Sequence, residues 1–126
     1  YNNTGFKIPG RGDTIEKIQF LDRFKFTIAF ENESASGYQT EKILHPMMVN
    51  SVPVYWGNPT PETDFNMDSF ICANGLTDEE VCDRIRQVDE DDELYNHMKS
   101  QPWFKDNKFP ACVKLKNVAK KIESIL

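Results

Sequence analysis

Three short apolar runs, each followed by a polar loop and a helix-like stretch, constrain this chain more than any other feature. Lys25 to Phe30 (KFTIAF), Val52 to Trp56 (VPVYW) and Ser69 to Cys72 (SFIC) are brief and rich in β-branched and aromatic residues, as strands are. Pro53 cannot donate to a ladder, so the second strand is expected to start late or lie near an edge. Asp13 and Glu16 form a capping box for a helix with Ile15, Ile18 and Leu21 on its apolar side, ending near Arg23. A second helix is expected from about Gln39 to Asn50, carrying Ile43, Leu44, Met47 and Met48. Thr77 and Glu80 form another capping box, opening a helix through Val81, Ile85 and Val88. The acidic run Asp89 to Glu93 separates it from a helix through about Met98, and a last helix is expected over Val113 to Leu126. Helices alternating with short strands argue an α/β layer around a mostly parallel sheet.

The chain has 126 residues and reads as one domain, 1–126, closed by the helix 113–126. Its first residue is Tyr1 rather than Met, so a piece of a longer protein is expected. A net charge of −5 argues against a broad nucleic-acid-binding face, while leaving room for a local basic pocket. No apolar run is long enough to span a bilayer. Cys72, Cys82 and Cys112 are far apart and without a CxxC pair, so buried free thiols are expected, not zinc or a disulfide framework.

In a parallel α/β sheet, ligands sit beyond the carboxyl ends of the strands. Two loops are therefore singled out: Glu31 to Tyr38 after the first strand, and Gly57 to Asp64 after the second. The first leads into Tyr38-Gln39-Thr40-Glu41-Lys42, where a helix N-terminus offers unpaired N–H groups to an anion. Lys42 would add a full positive charge in the first turn, against the preference of the helix dipole, a cost that a bound anion would offset. The plainer alternative is that Glu41 caps the helix and Lys42 is solvated.

The runs KFTIAFEN, GYQTEK, VPVYWGNP and DFNMDSFI together resemble the C-terminal domain of the α1,3-fucosyltransferases, glycosyltransferase family 10. The resemblance is dense over Phe20 to Phe70 and looser through the next two helices. It implies the C-terminal half of a GT-B enzyme, a Rossmann-like domain that holds GDP-fucose. It further implies that Asn32 and Tyr38 line the donor pocket and that Lys42 contacts the diphosphate. Glu41 would lie near the donor's sugars and stabilise the developing oxocarbenium ion, the catalytic role in this chain. No metal or other cofactor is implied for binding.

The general base and a diphosphate-contacting arginine of the family have no counterpart here. The acceptor, an N-acetylglucosamine-containing or similar glycan, would be reached through the missing N-terminal domain. The chain alone is therefore expected to bind donor and not to transfer it. Pro46, inside the expected second helix, should kink or shorten that helix. The wording DFNMDSFI is closer to bacterial members, which suggests a cytoplasmic or membrane-peripheral parent, with a Golgi lumen as the eukaryotic alternative. Membrane association would come only from parts of the parent outside this chain.

Other features read blandly. Asp89-Glu90-Asp91-Asp92 resembles a DxD metal motif but lies between helices, where Asp91 and Asp92 suit a helix start. Arg11-Gly12-Asp13 is a turn into a cap. His45 and His97 lack ligand spacing, and Trp56 and Trp103 read as core. The alternatives to a fucosyltransferase domain are a non-catalytic nucleotide-binding module and a purely structural α/β domain.

Overall fold

A computed structural model of the chain describes residues 14–110 together with Glu123 and Ser124. The capping box at Asp13 and nearly all of the expected helix 113–126 lie outside the described residues. The order of elements is α1 (Thr14–Leu21), β1 (Phe26–Phe30), α2 (Glu41–Met47), β2 (Val52–Trp56), β3 (Ile71–Cys72), α3 (Asp78–Glu90) and α4 (Asp92–Ser100). Short 3-10 turns at Pro61–Thr63 and Met67–Ser69 carry the chain from β2 to β3. The sheet has three strands in the order β1-β2-β3, and both pairings are parallel.

Side-chain alternation along β2 divides the core. Val52 and Val54 face α3 and α4, packing with Ile71, Ala73, Val81, Val88, Tyr95 and Met98. Tyr55 faces the other way, with Ala29, Ile43, Met47, Phe65 and Phe70. Tyr55 and Phe70 meet edge to face, ring centroids 6.0 Å apart, the arrangement favoured by the ring quadrupoles. Helices thus cover both faces of a parallel strand, as the alternating sequence pattern requires. Lys25, just before β1, pairs with Asp89 at 2.7 Å and sits over the Tyr95 ring at 4.7 Å, fastening the edge strand to α3.

Four expectations are corrected. β2 is central and begins at Val52, despite Pro53. The Val52 amide donates to Lys25 O on the β1 side (2.8 Å), so the position of the missing Pro53 donor faces β3, whose pairing starts only at Val54↔Ile71. A proline is tolerated there because no ladder bond is lost. The second helix is Glu41–Met47 rather than Gln39 to Asn50, because Thr40 is its N-cap, while Pro46 shortens it as expected. β3 contains only Ile71 and Cys72, with Ser69 in the preceding turn. Finally, Ile15 and Trp103 are exposed (71 % and 36 %), so neither joins the core.

The two later helices start as the sequence indicates. Thr77 Oγ1 accepts from the Glu80 amide while Glu80 Oε2 accepts from the Thr77 amide, a complete capping box. Asp91 caps α4 through the Leu94 amide at 3.0 Å, which gives the acidic run a structural use.

Candidate functional site

The carboxyl ends of all three strands open on one edge of the sheet, and their loops are stitched together by side-chain hydrogen bonds. Asn58, 1 % exposed, is the central knot. Its Oδ1 accepts from Gly37 N at 3.0 Å in the β1 loop and from Thr60 N at 3.2 Å in its own loop. Its amide donates to the Tyr55 hydroxyl at 3.0 Å, and its carbonyl accepts from Asn74 Nδ2 at 2.7 Å in the β3 loop. Asn74 Oδ1 in turn accepts from Gly57 N, and Ser34 Oγ donates to Gly57 O. Burial pushes the Tyr55 phenol up, partly offset by the Asn58 N–H it accepts, so it stays protonated at neutral pH. The two loops singled out from sequence are therefore one bonded unit.

Glu31 ties this unit to α2. Its side chain is fully covered, and its backbone N–H donates to Trp56 O at 2.8 Å. Oε1 accepts from the Thr40 amide and Oε2 from the Thr40 hydroxyl, both at 2.8 Å. Thr40 Oγ1 also accepts from the Lys42 amide at 3.4 Å. The start of α2 thus already holds an anion, the chain's own Glu31 carboxylate, and two of its amides are in use. The expectation of an open row of N–H groups for an external phosphate is corrected accordingly. The Lys42 side chain stands beside that occupied start.

Lys42 Nζ donates to Asn32 Oδ1 at 2.9 Å and lies 3.7 Å from Glu31 Oε2, with 30 % of its side chain exposed. The structure therefore brings Asn32 and Lys42 together. Glu41 is exposed and lines a cavity of about 470 Å³ beside Gly37, Gln39, Asp64 and Phe104. Gln39 Nε2 donates to Asp64 Oδ2 at 2.7 Å on the wall of that cavity, and Gln39 Oε1 is buried without a hydrogen bond. Tyr38 is half-buried at the end of the β1 loop, its amide closing a turn on Ala35 O at 3.0 Å. Sequence reasoning passed over Glu31, Asn58 and Asn74. The asparagines carried only a turn signal, and an acidic residue at a strand end reads as solvated.

His45 is half-buried, and desolvation, followed by the Lys17 charge, lowers its pKa. Cys72 is half-buried, and burial raises its pKa, whereas Cys82 is exposed on α3, so the expectation of buried thiols fails for Cys82. Among the described residues no group of three or more histidines, cysteines and carboxylates is placed to hold a metal ion, and no helix is long and apolar enough to cross a membrane.

Comparison with known proteins follows the same lines. Residues 4–123 match the profile of glycosyltransferase family 10 (fucosyltransferase), C-terminal region. The chain is 37 % identical over 73 residues to the α-(1,3)-fucosyltransferase FucT of Helicobacter pylori, covering 57 % of this chain and 15 % of that protein. It is 34 % identical over 92 residues to human GDP-fucose protein O-fucosyltransferase 3, covering 71 % of this chain and 19 % of that protein. It superposes on a crystal structure of an α1,3-fucosyltransferase with GDP-fucose at a TM-score of 0.81 and 28 % identity, over 98 % of this chain and 36 % of the other. The chain thus spans only about a seventh to a fifth of the length of these curated relatives.

Proposed function

This chain belongs to glycosyltransferase family 10, the fucosyltransferases, and from that premise we propose that it forms the GDP-fucose-binding part of a two-domain, inverting α1,3-fucosyltransferase. The observation that carries the reading is the Lys42 ammonium, held by Asn32 at 2.9 Å on the loop edge of a parallel sheet. A fixed, partly exposed cation at that edge suits the diphosphate of a sugar nucleotide. Asn32 and Tyr38 then border the donor on the β1 loop. Glu41, the residue just before Lys42, faces the donor's sugars with a carboxylate.

In the reaction, an acceptor hydroxyl attacks the anomeric carbon of fucose as the bond to GDP breaks. Its proton passes to a base on the other domain, and GDP leaves with the bonding electrons. Positive charge develops on the sugar between the two events, and the Glu41 carboxylate opposes it electrostatically. Lys42 opposes the charge that grows on the departing diphosphate. This chain alone binds donor without transferring it, because the base and the acceptor site belong to the rest of the enzyme. Binding needs no metal ion.

Titration calorimetry with GDP and GDP-fucose, with and without chelator, tests the proposal. Lys42→Ala is expected to weaken GDP binding by about 1.5–3 kcal/mol, the range for a hydrogen bond to a charged group. Melting temperature should fall modestly, since the buried Glu31 carboxylate loses the cation facing it at 3.7 Å but keeps both Thr40 donors. A strict requirement for manganese or magnesium would overturn the metal-free reading. A collapse in melting temperature with unchanged GDP affinity would make Lys42 structural.

A further inference from the structure

We propose that Glu31 is a positioning residue that aims the Lys42 ammonium at the anionic ligand; the proposal rests on the reading of Lys42 as the diphosphate contact. A fully covered carboxylate is costly unless its oxygens are bonded. Here they are, but unequally. Oε1 serves the Thr40 amide alone, whereas Oε2 accepts from the Thr40 hydroxyl and also faces Lys42 Nζ at 3.7 Å. That separation exceeds the ~2.7–2.9 Å of a charge-assisted hydrogen bond. The carboxylate therefore attracts the ammonium without capturing its protons.

Of the three donors on the ammonium, one is taken by Asn32 at hydrogen-bond length, and the side chain is still 30 % exposed. Glu31 and Asn32 together hold the cation from the strand side and leave its outer donors for a ligand. Glu31 cannot drift, because Gly57 packs against it: a Cβ on Gly57 would lie 2.8 Å from Glu31 Cβ and 2.9 Å from the Tyr55 hydroxyl. Position 57 thus fixes the carboxylate, and the carboxylate fixes the lysine.

A purely structural alternative makes Glu31 only a clamp on Thr40. Glu31→Gln separates the two, because its carbamoyl oxygen can accept from the Thr40 amide and its NH₂ can donate to the Thr40 hydroxyl, which then reverses its role in that bond and turns its own proton away. It keeps the clamp and removes the charge facing Lys42. The experiment is a double-mutant cycle in the two-domain enzyme: wild type, Glu31→Gln, Lys42→Ala and the double variant. GDP affinity, donor KM, acceptor KM and Tm are read for each, and a parallel cycle uses Glu31→Asp in case one substitution fails to fold. Glu31→Gln is expected to weaken GDP binding about tenfold and raise donor KM with acceptor KM unchanged, but to change GDP affinity less than twofold when Lys42 is already alanine. Equal losses in both backgrounds, or GDP binding that is unchanged or tighter in Glu31→Gln, would overturn the proposal while leaving Lys42 in place. A Lys42→Ala variant with normal GDP affinity would instead remove the reading on which it rests.

Discussion

Replacing Gly57 by alanine should injure both the fold and the ligand-binding edge, and a second glycine supplies the control. At Gly57 the new methyl would overlap Glu31 Cγ most severely, would lie 2.8 Å from Glu31 Cβ and 2.9 Å from the Tyr55 oxygen, and φ is +157°. Neither neighbour can retreat easily. Tyr55 is fully buried, and Glu31 is held by both Thr40 donors. Overpacking of this kind costs about 1–3 kcal/mol, to which loosening of the Glu31–Thr40 bonds adds about 1 kcal/mol each. A total of about 3–5 kcal/mol is expected. Gly37 also has a positive φ (+76°, in the left-handed region) but nothing within 4 Å of an added Cβ, so Gly37→Ala should cost only about 1 kcal/mol. Urea unfolding of both variants measures the difference, and GDP titration should show Gly57→Ala binding more weakly than Gly37→Ala. Equal destabilisation by the two substitutions would refute the argument, because backbone conformation alone would then explain both.

In the two-domain enzyme, Glu41→Gln should lower kcat about 100-fold, or about 2.7 kcal/mol, with donor affinity little changed, as steady-state kinetics and titration would show; normal kcat and affinity would remove Glu41 from the site. His45 is expected to make the fold acid-sensitive: desolvation lowers its pKa from 6.5, so between that value and the lower folded value the unfolded chain binds the extra proton. Stability should therefore fall as pH drops below about 6.5 and level off below the folded pKa, and His45→Gln should flatten that stretch of the urea-midpoint profile. Thr77→Ala removes the side-chain arm of the α3 capping box, the Oγ1 that accepts from the Glu80 amide, and should cost about 1 kcal/mol in the same assay.

Much of the architecture was legible along the chain because it depends on local chemistry. β-branched and aromatic runs placed the strands, Thr77 and Glu80 placed the start of α3, and Asp91 suited the start of α4. The carboxyl-end loops were marked as the site edge by the alternation of elements alone, and the family resemblance named Asn32, Tyr38, Glu41 and Lys42 within them. What a single strand cannot reveal is which neighbour its backbone faces, so Pro53 read as an edge residue although it lies in the central strand. The same limit hid Glu31. In sequence it is an acidic residue before a polar loop. Only the folded chain surrounds its carboxylate with a glycine from the β2 turn, two Thr40 donors and the Lys42 ammonium. Glu31 and Gly57 are distant in sequence and touch because parallel pairing brings Phe30 beside Trp56, so the character of that carboxylate was decided by the sheet register, which no local pattern encodes.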